Sequence, residues 1–253
     1  MMQANTETAL LLEQHANEIS LAASRHLLST APDIVAKFGG DVNKVWQQHF
    51  DQRILELSTA VAAGEPRLFV SRVNWSREAM TARGQDDVFI SITLQSLRYA
   101  LIEVIHDNAC SDVITVLDKA EQELFENSCG FEESSLDPRK PTDRIALQYL
   151  QAVLEGNSRE ATRIVLDEVG ERLNAKTAIL NVLMPAQREV GRLWHLGEVT
   201  IAEEHQVTAT TQHTMALIAQ QSKHAPDNGY TAVCASVSGN VHDLGIRAIS
   251  YLL

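Results

Sequence analysis

The sequence is poor in the residues that mark several common classes of protein. It has 3 cysteines, 6 prolines and 12 glycines in 253 residues, and aromatic residues make up 5% of the chain. An odd number of cysteines without CxxC spacing indicates neither a disulfide framework nor a zinc knuckle. No apolar run approaches the length of about 20 residues that spans a membrane. The first residues lack the basic start and the cleavage site of a signal peptide. These absences predict a protein of the reducing cytoplasm that does not enter membranes.

Clusters of positive charge are also missing. The net charge is −12, and residues 1–130 contribute 18 acidic and 10 basic side chains to it. Residues 131–253 contribute 15 acidic and 11 basic side chains. Nucleic-acid binding requires clustered Lys and Arg to neutralise phosphates. The charge pattern therefore predicts no direct contact with nucleic acid.

What the sequence does have is helical periodicity. Apolar residues recur at intervals of three and four through residues 1–126, which predicts an N-terminal helical bundle. Its longest helix is expected to run from about Asp87 into the 110s. We expect this bundle to serve dimerisation or signal coupling, with Trp46, Trp75 and His49 as core and surface residues rather than a second cofactor site. Residues 127–142, with two prolines, a glycine and paired serines, predict a linker.

Residues 143–225 predict a four-helix bundle with short loops. Gly156 is expected to end its first helix and Ser158 to cap the second. The third helix is expected from about Thr177 to Leu193, and the fourth from Ile201 to about Gln221.

The periodicity changes in residues 226–253. The stretch TAVCASV, residues 231–237, is apolar and rich in β-branched side chains, and turn residues flank it, which predicts a buried strand. A polar loop and an apolar helical start follow. We therefore expect the beginning of a doubly wound, Rossmann-like α/β domain whose other strands lie outside these residues. The predicted fold class is mainly α, with this α/β start after the two helical regions.

The corner between the third and fourth helices, LWHLGEVTIAEEHQVT, is rich in unusual side chains. Thr200 begins a T-x-x-E capping box, which gives Glu203 a structural role. Four further residues of the corner have no such role, namely Trp194, His195, Glu204 and His205. A purely structural interpretation treats the indole as a core anchor and the two imidazoles as a helix-end cation and a surface residue. On the fourth helix, His205, Thr208 and Gln212 share one face.

The loop SGNVHDLG, residues 238–245, follows the predicted strand. Ligands of open α/β sheets bind beyond the carboxyl ends of the strands, which is where this loop is expected to lie. His242 is a candidate metal ligand, and Gly245 permits close approach of a bulky ligand to the backbone. A solvated loop histidine is the alternative interpretation.

Together, MPAQREVGRLWHLGEVTIAEEH and SGNVHDLG resemble the cobalamin-binding module of methionine-synthase-type corrinoid proteins and of CarH-type adenosylcobalamin photoreceptors. The resemblance covers residues 143–253. It implies a four-helix cap, residues 143–225, over the upper face of the corrin, and a Rossmann-like domain that begins in residues 226–253. The W-x9-E-H spacing of Trp194 and Glu204-His205 is similar to that of the photoreceptor branch.

The resemblance also implies roles for single residues, with adenosylcobalamin as the cofactor. His242 is implied as the lower axial ligand of cobalt, and Trp194, Glu204 and His205 as the pocket of the adenosyl group. His195 is implied as the upper cobalt ligand after light has cleaved the cobalt–carbon bond. Thr208, Asn240 and Gly245 are expected to complete the cofactor site.

One position departs from the family motif (D/E)-x-H-x-x-G, because Asn240 replaces its acidic residue. Carboxylates behind a ligating imidazole set its tautomer and its basicity. The change therefore predicts weaker ligation of cobalt by His242, or binding without it.

The resulting expectation is a cobalamin-dependent photoreceptor or sensor, a homo-oligomeric binding protein rather than an enzyme, although an output domain further along the chain could be enzymatic. A corrinoid methyl carrier for a methyltransferase is the alternative hypothesis, and a scaffold that has lost its cofactor is a third.

Overall fold

The computed structural model describes residues 2–32, 41–84, 88–105, 109–126, 133–223, 226, 228–237, 240 and 242–253. The chain divides into two compact units, Met1–Gly130 and Phe131–Leu253. The division falls within the predicted linker, residues 127–142. Within the described ranges, no helix is long and apolar enough to cross a membrane.

The described part of the first unit is helical. Its helices are α1 (Met2–Gln14), α2 (Ala16–Thr30), α3 (Val42–Ala63), α4 (Arg67–Thr81), α5 (Val88–Val104) and α6 (Ala109–Glu126). The prediction of a single long helix from Asp87 into the 110s is wrong, because Ile105 is not helical. The next residues, 106–108, lie outside the described residues.

Aromatic side chains form part of the core of the first unit. Trp46 and Phe50 on α3 are buried, and the ring centroids of Trp46 and Phe89 lie 5.2 Å apart. Trp75 is 36% exposed, and the guanidinium of Arg72 lies over its ring at 4.8 Å. Trp46 is therefore a core residue and Trp75 a surface residue, and the sequence had predicted core and surface roles without assigning them to individual residues.

The second unit contains the predicted bundle. Its helices are α7 (Pro141–Leu154), α8 (Ser158–Glu168), α9 (Ala175–Ala178), a π-helical segment (Ile179–Leu183), α10 (Met184–His195), α11 (Ile201–Gln221) and α12 (Leu244–Leu252). The prediction of a mainly helical protein is confirmed. We call α7, α8, the continuous helix from α9 to α10, and α11 the cap bundle.

Local chemistry explains where the cap helices begin and end. Gly156 has a left-handed backbone (φ 83°), which ends the first helix there. Asn157 rather than the predicted Ser158 caps α8, because its side chain accepts from the backbone N–H of Glu160. The capping box of Thr200 and Glu203 is confirmed, with both reciprocal hydrogen bonds present.

The third cap helix contains a π-helical turn just before Pro185. The backbone N–H of Met184 donates to the carbonyl of Ile179, five residues earlier. A proline cannot donate to the carbonyl four residues back, and its ring clashes with that carbonyl. The wider turn relieves this clash, so the helix continues through Pro185 to the corner.

The predicted buried strand at residues 231–237 is wrong for this structure. These residues form no regular structure, and Val233 is 89% and Val237 76% exposed. A strand exists only through hydrogen bonds to a neighbouring strand, and the described residues provide none. The helix expected after the loop does form, as α12, where Leu244 and Ala248 are buried.

Candidate functional site

The corner that carries the predicted upper site joins α10 to α11. Trp194 and His195 are the last two residues of α10 and are half-buried, and Nδ1 of His195 is shielded from solvent. Gly197 follows with a left-handed backbone (φ 73°), which lets the chain leave the helix and turn. Thr200 then caps α11. The corner therefore presents an indole and an imidazole from one helix next to the first turn of the other.

Glu204 and His205 form a hydrogen-bonded pair in that first turn. Nδ1 of His205 lies 2.6 Å from Oε2 of Glu204. The side chain of His205 is 73% exposed, whereas that of Glu204 is 24% exposed. A carboxylate in the first turn is also favoured by the partial positive charge at the helix N-terminus. The pair thus combines a fixed carboxylate with an imidazole that faces outward.

The other oxygen of Glu204 is held from inside the cap bundle. Its Oε1 accepts from Oγ1 of Thr208 at 2.9 Å and from Nε2 of Gln187 at 3.4 Å. Gln187 lies on α10, and its Nε2 also donates to Thr208 at 2.7 Å. Gln187 therefore links the two helices of the corner through the carboxylate and a hydroxyl.

The hydrogen bonds continue from Gln187 into the core. Oγ1 of Thr211 donates to Oε1 of Gln187 at 3.3 Å, and the hydroxyl of Tyr149 on α7 lies 3.0 Å from Oγ1 of Thr211. Burial raises the pKa of Tyr149 to about 12, so its hydroxyl stays protonated. We call Tyr149, Thr211, Gln187, Thr208 and Glu204 the polar chain.

The last turns of α10 carry an ion pair that the sequence did not single out. Glu189 is buried, and a guanidinium nitrogen of Arg192 lies 2.7 Å from its Oε1. Hydrogen bonding to Glu189 raises the pKa of Arg192 above its usual range. The pair stabilises the helix end that presents Trp194, because breaking it would leave a buried carboxylate without compensation.

The predicted lower site lies on the loop before α12. His242 is exposed, and its backbone N–H donates to Oδ1 of Asn240 at 3.0 Å. Asp243 accepts from Nε2 of Gln212 on α11 at 3.2 Å and from Nε of Arg247 at 2.7 Å. The carboxylate of Asp243 thus ties this loop to the cap bundle.

Gly245 lies in the first turn of α12. Apart from its two chain neighbours and the backbone of its own helix, a Cβ atom added there would meet no heavy atom of the described residues within 4 Å. The space over this turn is open, which is compatible with close approach of a ligand to the backbone.

The structure brings only part of the predicted site into direct contact. Hydrogen bonds join Glu204, His205 and Thr208, while Asn240 and His242 lie on a separate loop that reaches α11 through Asp243. The sequence did not predict Gln187 and Tyr149 as site residues. Their partners are distant in sequence, so no local pattern marked them.

The donor set suits a metal that is already held in a ring. Within the described ranges, no three His, Cys, Asp or Glu side chains converge to hold a bare metal ion. A corrin already surrounds its cobalt, so the protein would need to supply only single ligands. The half-buried imidazole of His195 at the corner and the exposed imidazole of His242 before α12 fit this requirement.

Comparison with known families supports the same type of cofactor. Residues 145–219 match the family model described as B12 binding domain. The matched range contains the corner and the polar chain and ends before Asn240. The match supports a cobalamin-binding module and a cobalamin-type cofactor. Comparisons with curated proteins and with solved structures gave no match.

Proposed function

We propose that the protein is an adenosylcobalamin-dependent photoreceptor in which the cap bundle covers the upper face of the corrin. The observation that carries this proposal is the corner itself. It presents half-buried Trp194 and His195 beside a Glu204–His205 pair that is fixed from within the bundle. These residues lie on a surface rather than in a closed cavity, as a lid over a flat ring requires.

Each residue of the corner has a task that its chemistry suits. The indole of Trp194 would pack against the adenosyl group and exclude water from it. Glu204 and His205 form the polar wall of the same pocket. Thr208 holds the carboxylate of Glu204 in place. His242 would hold the cobalt, and Asn240 braces the backbone of His242.

When bound, the cofactor supplies a cobalt–carbon bond that visible light cleaves. The chain's own response lies in the cap bundle. Loss of the adenosyl group would remove the partner of Trp194, and His195 at the end of α10 would then hold the cobalt. The bundle would thereby have two discrete packings. A change from 1:99 to 99:1 between two such states needs roughly 5.5 kcal/mol of differential interaction, which a new metal–nitrogen bond can supply.

The test is reconstitution of the full chain with adenosylcobalamin in the dark, followed by green light. Absorption spectra and size-exclusion profiles are recorded before and after illumination. We expect binding in the dark, a spectral change in light, and a different final spectrum for His195→Ala. His213→Ala is the matched control, because His213 is exposed on α11 outside the corner.

The outcomes separate the competing functions. No binding of any cobalamin overturns the cofactor assignment. Binding of methylcobalamin that turns over with a methyltransferase, without a structural change in light, favours a corrinoid methyl carrier. A light-induced spectrum that is identical in His195→Ala and the parent chain removes His195 as the upper ligand.

A further inference from the structure

Helix α5 of the first unit carries apolar side chains on the face that points away from the core. Its inner face packs in the core, where Leu97 is fully buried. On the outer face, Val88 is 54%, Tyr99 49% and Ile102 57% exposed. A surface helix ordinarily has charged and polar residues on the face opposite its core. The outer face of α5 is therefore more apolar than a solvated surface requires.

The two charged side chains of α5 lie at the margins of this outer face. They are Arg98 and Glu103. A guanidinium nitrogen of Arg98 lies 2.9 Å from Oε2 of Glu121 on α6, so Arg98 is directed toward that neighbouring helix. Glu103 lines a pocket between α2 and α5 together with Arg25. The centre of the outer face therefore carries no charge.

The outer residues of α5 follow the spacing of a coiled coil. Val88, Ile92, Gln95, Tyr99 and Ile102 succeed one another at intervals of four, three, four and three residues. This average period of about 3.5 residues aligns them in one stripe along the helix, and such a stripe packs against a second helix. We call these five residues the α5 seam. Four of them are exposed and Ile92 is half-buried, so the seam lacks the helix that its spacing indicates.

The α5 seam is complementary to a reversed copy of itself. If two α5 helices run antiparallel about a two-fold axis level with Leu97, Ile92 of each copy faces Ile102 of the other. In the same arrangement, Gln95 of each copy faces Tyr99 of the other. The amide of Gln95 can donate to a phenol hydroxyl or accept from it, so two paired polar layers lie between two apolar layers. The alternative register, with Gln95 against Ile92, would bury the amide without a partner, which costs about 1–3 kcal/mol.

We propose that the α5 seam is a dimerisation surface and that its partner is the same seam of a second copy of this chain. Residues 1–130 contain 18 acidic and 10 basic side chains, so two copies repel each other unless they meet where this charge is absent. The α5 seam is such a place. The core of the first unit already holds α5 as a helix, so pairing requires no helix formation. The proposal does not depend on the cofactor.

Sedimentation equilibrium of the cofactor-free full chain tests the surface. Ile102→Glu places a charge in the seam and should raise the dissociation constant of the dimer about tenfold or more. Leu55→Glu is the matched control, because Leu55 is 50% exposed on α3 of the same unit and lies outside the seam. Circular dichroism verifies that both variants fold. A parent chain that is monomeric at every attainable concentration overturns the proposal, and so does an equal dissociation constant in the two variants.

Disulfide cross-linking tests the antiparallel register. Ile92→Cys and Ile102→Cys are prepared as separate full chains, mixed in equal amounts and mildly oxidised. The mixture should form a covalent dimer, because these two positions face each other. Each variant alone should cross-link no more than the parent chain with its own 3 cysteines, because equal positions then lie about 15 Å apart along the helices, beyond the reach of a disulfide. Cross-linking of either variant alone as efficiently as the mixture contradicts the register.

A lipid surface is the competing partner for an exposed apolar face. The negative charge of the first unit disfavours an anionic membrane, so we expect no co-sedimentation of the full chain with vesicles of phosphatidylcholine and phosphatidylglycerol. Co-sedimentation that Ile102→Glu abolishes and Leu55→Glu preserves would assign the face to a membrane and overturn the proposal.

Discussion

Asn240 occupies the position of the acidic residue in the family motif (D/E)-x-H-x-x-G. Its contacts indicate that an acidic residue can be introduced there. Oδ1 of Asn240 already accepts from the backbone N–H of His242, so an Asp of the same size keeps this turn. A carboxylate also makes a neighbouring imidazole more basic. Asn240→Asp is therefore expected to tighten ligation of cobalt by His242 about tenfold. The fraction of cofactor with imidazole bound, read from the absorption spectrum of the reconstituted protein, measures this effect.

A second turn of the same kind provides the control for this change. Oδ1 of Asn228 accepts from the backbone N–H of Tyr230 at 3.0 Å, so Asn228→Asp introduces the same charge in the same local geometry. It should leave the spectrum unchanged. If both variants shift the spectrum equally, the effect belongs to the added charge and not to His242.

His49 in the first unit predicts a dependence of stability on pH. Burial, and then the charge of Arg53, lower the pKa of His49 from 6.5 to about 3. Between these two pH values, the unfolded chain therefore binds a proton on His49 that the folded chain does not bind. The free energy of unfolding is not reduced by His49 above about pH 6.5, and it falls as the pH decreases through this window. Between pH 7 and 5 the loss is expected to be about 2 kcal/mol.

Urea unfolding followed by tryptophan fluorescence checks this prediction. His49→Gln should reduce the difference in unfolding free energy between pH 7 and 5. The partly exposed His15 offers the comparison, and His15→Gln should preserve the difference. An equal pH dependence in the parent chain and in His49→Gln would assign the effect to other groups.

At the scale of single residues, the sequence predicts those side chains whose role is local. Thr200 and Glu203 are three residues apart, and their capping box was predicted from that spacing and is confirmed. Gln187 meets Thr208 and Thr211 only because α10 and α11 pack side by side. No local pattern contains that contact, so its role became visible only in the folded bundle.

The capping box also leads to a prediction for the whole of α11. The hydroxyl of Thr200 accepts from the backbone N–H of Glu203 at 3.2 Å. Removing an N-cap side chain costs about 1 kcal/mol. Thr200→Ala should therefore lower the free energy of unfolding of the second unit by about 1 kcal/mol, and Thr200→Ser should not. Urea unfolding monitored by circular dichroism measures the difference, and equal stability of both variants would contradict the prediction.

Among the elements, α11 and residues 231–237 show why some predictions succeed and others do not. The predicted bounds of α11, Ile201 to about Gln221, agree with the structure, because a helix satisfies its own backbone hydrogen bonds. The segment 231–237 has the composition of a strand. A strand takes its hydrogen bonds from neighbours, so composition alone does not produce one.

On the scale of the whole molecule, each unit has its own core. Most buried apolar residues of the first unit form one cluster, from Ala9 to Ala120. Those of the second form another, from Leu136 to Ala248. Leu136 belongs to the predicted linker and yet packs into the second core. The composition of residues 127–142 predicted a domain boundary there. It did not show that Leu136 is part of the core of the second unit.

Separate cores predict that the two units fold independently. A unit that buries its own apolar cluster does not require the other for its stability. Residues 1–126 and residues 133–253, produced as separate chains, should each show a helical circular dichroism spectrum and one cooperative unfolding transition. Only the second chain should retain cobalamin on a desalting column, because it contains the corner, the polar chain and His242. An unfolded second chain would show that its core depends on the first unit, and retention of cobalamin by residues 1–126 would place the cofactor elsewhere.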